Sequence, residues 1–196
     1  MALHLVTAPS ATDPVVTRAE AKLHCRVDMA DDDALIDTLI GAATRLAEDF
    51  TRRAFVTQTW DLKYDAFPDG DDDTIWLPKP PVSSITSIKY VDTAGTTQTW
   101  AASKYLTDLP SGPTARRARI TPDYTITYPS TRAIMDAVTI RFVCGYGAAS
   151  TVPDAIKAAL KLLVGHWYAY RETALVDSLT PIPNGAEALL WPFRAF

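Results

Sequence analysis

Val56-Thr57-Gln58-Thr59-Trp60-Asp61-Leu62-Lys63-Tyr64-Asp65 alternates, with Val56, Gln58, Trp60, Leu62 and Tyr64 on one side and Thr57, Thr59, Asp61, Lys63 and Asp65 on the other. Alternation puts successive side chains on opposite faces, so the stretch reads as a strand with one apolar face. Directly upstream, over residues 32–53, the period is different. Leu35, Leu39, Ala43, Leu46 and Phe50 recur at helical spacing, with Ile36, Ile40 and Ala47 widening the stripe. Asp37, Arg45, Glu48, Asp49 and Arg52 fall mostly elsewhere, which makes an amphipathic helix burying one face. The change of period near residue 55 separates a helical unit from a β unit.

Toward the N-terminus, Thr17-Arg18-Ala19-Glu20 has the spacing of a capping box and starts a short helix reaching about His24. Asp31-Asp32-Asp33 offers a second N-cap, with acidic charge suited to a helix N-terminus. Residues 1–16 are small, polar and proline-containing, and read as an extended arm. Toward the C-terminus, Ile75-Trp76-Leu77 is a short strand stopped by Pro78, Pro80 and Pro81. Val82 to Val91 is β-rich, and Asp92-Thr93-Ala94-Gly95 turns into Thr96 to Trp100. Arg119 to Thr127 reads as a further strand. Val138, Ile140, Phe142 and Cys144 alternate with Thr139, Arg141 and Val143, and Gly145-Tyr146-Gly147 ends that strand.

Helical spacing returns after Pro153, a favoured first-turn residue, with Ile156, Leu160, Leu163 and Trp167 on one face and Lys157 and Lys161 on the other. This helix is expected to run to about Arg171. The order predicts an α+β fold: a small helical bundle of N- and C-terminal helices with an inserted antiparallel β domain and an extended C-terminal tail. The expected division is an arm at 1–16, a helical core at 17–55 and 152–172, a β insertion at 56–147 and a tail at 173–196. Leu39, Leu46 and Phe50 are expected to pack against Leu160, Leu163 and Trp167.

The chain has 196 residues, 47% of them apolar and 21% charged, which suits a folded globular protein. The formal net charge of −4 argues against a protein that coats nucleic acid through a basic surface. The charge is uneven: residues 28–73 hold 13 acids and 4 bases, and residues 74–196 hold 8 acids and 12 bases. Asp31, Asp32, Asp33, Asp37, Glu48 and Asp49 are therefore candidates for a surface facing a DNA channel or a basic neighbour. The plainer reading of these acids is solvated faces and turns.

Chemistry-bearing motifs are few. His4, His24 and His166 are scattered, and Cys25 and Cys144 are not in a Cys-x-x-Cys pair. Two reduced thiols are expected, with no metal and no cofactor. Asp69-Gly70-Asp71-Asp72-Asp73 lacks the order of a calcium loop and reads as a turn. No Gly-x-Ser-x-Gly elbow, phosphate loop or dinucleotide fingerprint occurs. An enzyme with an unfamiliar site and a DNA-binding regulator stay as rival classes. No leader or apolar run of membrane length is seen, so folding in the cytoplasm is expected. The C-terminal run Leu189-Leu190-Trp191-Pro192-Phe193-Arg194-Ala195-Phe196 carries more apolar surface than a solvated terminus, following Pro181 and Pro183. It reads as a partner-binding segment or as a tail folded back on its own domain.

The segments, taken in order, resemble the head–tail connector (adaptor) proteins of long-tailed double-stranded DNA bacteriophages and phage-like gene transfer agents. Val16-Thr17-Arg18-Ala19-Glu20-Ala21-Lys22-Leu23-His24-Cys25-Arg26-Val27-Asp28 resembles the opening of those adaptors. Asp32-Asp33-Ala34-Leu35-Ile36 and Glu48-Asp49-Phe50-Thr51-Arg52-Arg53-Ala54-Phe55 are similar to the two ends of their long helix. Gln58-Thr59-Trp60, Leu77-Pro78-Lys79-Pro80-Pro81-Val82 and Ile88-Lys89-Tyr90-Val91-Asp92 follow the subgroup with a β insertion. Arg141-Phe142-Val143-Cys144-Gly145-Tyr146-Gly147, Val152-Pro153, Ile156-Lys157-Ala158-Ala159 and His166-Trp167-Tyr168-Ala169-Tyr170-Arg171-Glu172 complete the series. His24-Cys25 and Cys144 depart from the usual residues. The resemblance implies a virion protein assembled in the bacterial cytoplasm. It implies a homo-oligomeric ring, usually a dodecamer, under the portal protein, through which DNA passes without sequence-specific binding. It further implies a contact with a downstream connector or tail protein, and no catalytic residue, cofactor or membrane. Portal binding would fall to Leu189, Leu190, Trp191, Phe193 and Phe196. Another neck or tail-completion protein is the nearest alternative.

Overall fold

Thr17 caps the first helix, α1 (Arg18–Cys25), and the capping box is complete. The Thr17 hydroxyl accepts from the Glu20 N–H at 3.2 Å, while the Glu20 carboxylate accepts from the Thr17 N–H at 2.8 Å. Two otherwise orphaned amides are thereby satisfied, and the bonds hold the Glu20 carboxyl below its usual range. The computed structural model describes residues 1–69, 73–170 and 184–196. Helix α2 (Asp33–Thr51) follows after a turn at Arg26, whose φ of 56° is left-handed. Asp32 occupies the N-cap position of α2 but its side chain makes no cap bond. Its carboxylate accepts instead from the Tyr168 hydroxyl at 2.6 Å, which ties the start of α2 to the end of α3 (Asp154–Ala169).

The buried line of α2 is Ile36, Ile40, Ala43, Ala47 and Thr51. Leu39, Leu46 and Phe50, expected at its centre, lie partly buried along its edges. Against this line α3 sets Ile156, Ala159, Leu160, Leu163 and Val164, with Trp167 at the margin. Both stripes join one cluster, as their periodicity predicts. Small alanines at the middle of the line let the helix axes come close, since side chains at the contact set their separation.

The β insertion, joined by one strand of the N-terminal arm, forms two antiparallel sheets. Strands β1 (Ala2–Thr7), β2 (Gln58–Tyr64), β4 (Val82–Val91), β5 (Thr97–Trp100) and β8 (Val138–Cys144) make the larger one, in the order β1-β2-β8-β4-β5. Strands β3 (Ile75–Leu77), β6 (Tyr105–Asp108) and β7 (Ala118–Pro122) make the smaller one, in the order β3-β7-β6. Pairing sets Trp60 against Phe142 and Leu62 against Ile140. These join Ile75, Leu77, Ala118 and Ile120 of the other sheet in one buried cluster, so the second core lies between the sheets. Phe67 closes it from the side, stacked on Tyr128 at 4.6 Å between centroids and flanked by Trp100 and Tyr90.

Two chain crossings join insertion to bundle. The Tyr146 N–H donates to the Phe55 carbonyl and the Thr57 N–H to the Gly147 carbonyl, both at 2.9 Å. Gly145 lies between them with φ of 113°, and a Cβ there would sit 2.4 Å from the Val56 carbonyl oxygen. Only glycine suits both the backbone and the space.

Two segments take a definite place that their sequences left open. The arm is not free: β1 pairs with β2 as an edge of the larger sheet, and Val15 and Val16 are buried in the bundle core. A six-residue edge strand lacking strong alternation is fixed by its partner more than by its own sequence. The described part of the tail is briefly helical, with α4 (Asn184–Leu190) and a 3-10 turn at 191–193, and it lies back on the bundle. The expected end of α3 at Arg171 and tail residues 173–183 lie outside the described residues.

Candidate functional site

The C-terminal cap is the most heavily built surface feature. Ala186, Leu190 and Phe193 enter the bundle core, and the Ala195 N–H donates to the Thr51 carbonyl at 2.9 Å. Arg53, only 2% exposed, donates through Nε to the Phe193 carbonyl. Burial pushes the Arg53 guanidinium pKa down, with Tyr146 opposing the shift. Its Nη1 has no partner among the described residues. An arginine two residues past a helix gives no sequence signal for such a role, since its acceptor lies 140 residues away.

The five candidate tail residues thus divide. Leu190 and Phe193 belong to the chain's own core, Leu189 is partly buried, and Trp191 and Phe196 are 52% and 82% exposed. Arg194 draws the exposed pair together, its guanidinium lying 5.4 Å from the Trp191 ring and 5.7 Å from the Phe196 ring. Beside Phe196, a cleft of about 330 Å³ between bundle and insertion is lined by Arg52, Lys79, Arg117 and Asp49. A larger groove, about 930 Å³, runs between residues 8–16 and the outer side of α1 and α2, over Val16, Ile40 and Val56.

The six candidate acids do not form one surface. Asp33 pairs with Lys22 at 2.6 Å and with Arg18 at 3.2 Å, and Asp37 pairs with Arg18. These cations hold both carboxyls below the usual range. Asp32 is engaged by Tyr168. Glu48 is buried: its Oε1 accepts from the Phe55 N–H and from Gln58 Nε2, both at 2.8 Å, and burial pushes its carboxyl up. Gln58 in turn accepts from Trp60 Nε1 at 2.9 Å, so the network ties the end of α2 to the first inserted strand. Asp31 and Asp49 remain exposed. Spacing made Glu48 look like one more outer-face acid, because burial by the insertion is not visible in the helix period.

Cys144 is buried, and its thiol is pushed up to about 12 by burial. Cys25 is half-buried in the other core, and both thiols are free. Among the described residues no group of three His, Cys, Asp or Glu side chains is placed to hold a metal ion. No helix among them is long and apolar enough to cross a membrane.

A family model described as "Head completion protein" matches residues 15–175. No curated protein matches the chain. Among solved structures, a chain in the neck of an empty gene transfer agent particle computed with C6 symmetry is similar at 28% identity and a TM-score of 0.77. The match covers 100% of this chain and 96% of that one. A chain in the virion of a native gene transfer agent particle is similar at 27% identity with a TM-score of 0.77, over the same shares of both chains. A chain in the neck of a native particle computed with C12 symmetry is similar at 27% identity with a TM-score of 0.72, again over 100% and 96%.

Proposed function

The chain belongs to the head completion protein family, and from that membership we propose that it forms a ring beneath the portal of a phage or gene transfer particle, continues the DNA channel and joins head to tail. Its role is structural, as a connector in the neck. The observation that carries the reading is the end-to-end similarity to chains of gene transfer agent necks and virions, which spans bundle, insertion and C-terminal cap alike. Cyclic symmetry in those necks supports a ring of copies, twelve being the number expected. Assembly in the bacterial cytoplasm and a downstream connector or tail protein complete the reading.

Within it, Trp191 and Phe196 are the portal anchors. They are large, aromatic and exposed, and they are held on a cap that is itself fixed to the core. Aromatic anchors concentrate binding energy when a partner pocket desolvates them, and repetition around a ring multiplies weak contacts through avidity. Leu190 and Phe193 serve the cap's own fold. Replacing Trp191 and Phe196 together by serine tests the proposal without opening the core. The expected outcome is a folded chain and DNA-filled heads that retain neither this protein nor a tail. Normally tailed particles from that variant, counted by electron microscopy, would overturn the portal assignment.

A further inference from the structure

We infer that neighbouring copies meet head to tail, with the α1–α2 turn of one copy resting on the outer face of the smaller sheet of the next. The inference deepens the ring reading and rests on it. A closed cyclic ring is built from a heterologous contact, so each copy must carry two different patches that fit one another.

The first patch is at the end of the bundle. Leu23 is 82% exposed and Met29 is 69% exposed, on either side of the turn. This turn is not a loose loop. Arg26 closes it in the left-handed conformation, the Val27 N–H donates to the Lys22 carbonyl at 3.0 Å, and Lys22 Nζ donates to the Met29 carbonyl at 2.8 Å. Large apolar side chains held out on a rigid turn mark a contact surface. Asp28 and Asp31 are exposed beside them, with Asp32 and Asp33 behind. Against these four carboxylates stand Arg26 and the paired Lys22 and Arg18.

The second patch is on the insertion. Register pairs Thr107 with the buried Ile120, so Leu106, Asp108, Arg119, Thr121 and Trp76 share the opposite, outer face. Leu106 is 58% exposed, and Tyr124, just beyond β7, is 98% exposed. Tyr124 is kept close to the sheet because the Asp123 N–H donates to the Lys104 carbonyl at 3.0 Å. The cations here are Lys104, Arg116 and Arg119, facing Asp108 and Asp123. On these counts each patch pairs exposed apolar groups with an excess of one charge, negative on the bundle and positive on the insertion. Complementary charge selects the partner and fixes the register of the contact.

Their placement suits a ring. Helix α2 spans 19 residues, roughly 28 Å at the usual rise, and its far end is bonded to the insertion through Glu48, Phe55 and Gln58. The two patches thus belong to different parts of the chain, one at the start of α2 and one on the smaller sheet.

Charge reversal tests the contact in intact particles. Asp28→Lys with Asp31→Lys should reduce neck rings by about tenfold or more, and so should Arg116→Glu with Arg119→Glu. All four changes together should restore them, because the attraction is then rebuilt with the signs exchanged. Circular dichroism of each purified chain reports the fold. Met29→Cys combined with Leu106→Cys gives a second reading that requires no loss of function, since an intermolecular disulfide should link copies into ladders on oxidation of assembled particles. Intact rings in both reversal variants, or no rescue by the combination together with no ladder, would refute this interface while leaving the ring reading in place. Wild-type particles whose necks hold single copies would remove the ring reading and this inference with it. Loss of portal attachment from the acidic-side variant alone would assign that patch to the portal and refute the contact between copies.

Discussion

The bundle and the insertion each own a core, but they complete it differently. The insertion closes largely on itself: apart from the edge strand β1, its two sheets and the Phe67 ring cluster come from one continuous stretch, and an ion pair bridges its strands between Asp61 and Arg141 at 2.8 Å. The bundle closes with a segment from the end of the chain, and it holds charged groups inside, with Glu48 7% and Arg53 2% exposed. The difference teaches where specificity comes from. Apolar alternation does most to assemble the sheets, with one ion pair, Asp61 to Arg141, bridging β2 and β8. The bundle needs buried polar groups to fix which segment caps it and how the insertion joins it. Buried polar groups with satisfied partners raise the cost of wrong arrangements, because each wrong one leaves a desolvated group unpaired.

The contrast can be broken hardest at Phe142, which is fully buried between the sheets. Phe142→Ala should cost about 3–5 kcal/mol by urea unfolding, the range for an aromatic removed from a well-packed core. A smaller loss would mean that the insertion is less self-sufficient than its packing implies.

The cap gives the next effect. Leu190→Ala should cost about 2–5 kcal/mol, because it opens a cavity in the bundle. Trp191→Ala, one residue on and 52% exposed, should cost less than about 1 kcal/mol. Equal losses at the two positions, measured by thermal or urea unfolding, would erase the division between core and surface within the cap.

The smallest effect is the pH response, and it has opposite signs in the two regions. Burial raises the Glu48 carboxyl above its ordinary range. Its contribution is then most favourable below the unfolded-state value and is lost as pH rises through the folded one. Arg141 lowers Asp61, so that contribution is present above the unfolded-state value and is lost as pH falls through the folded one. Glu48→Gln keeps an Oε1 able to accept from Phe55 and Gln58. It should therefore leave neutral-pH stability within about 1 kcal/mol of wild type. It should also remove the decline in stability that accompanies a rise of pH above the ordinary carboxylate range. An unchanged pH profile in this variant would show that Glu48 does not titrate there.

Much of this was legible in the chain itself. The capping box at Thr17, the strand of Val138 to Cys144, the two helical stripes and the change of period near residue 55 are local patterns, set by side chains a few positions apart. They determined an α+β fold with an inserted antiparallel unit, and their order along the chain carried the resemblance to connector adaptors. Tertiary structure alone decided that residues 2–7 join a sheet, that Leu190 and Phe193 turn inward while Trp191 and Phe196 stay out, and that Asp31 and Asp49, of the six candidate acids, remain exposed with no pairing among the described residues. Each of those outcomes depends on a partner far along the chain: β2 for β1, Arg53 for Phe193, Tyr168 for Asp32, and the insertion for Glu48. Burial and pairing are energies of contact, and a contact between residues distant in sequence leaves no periodic trace in either segment.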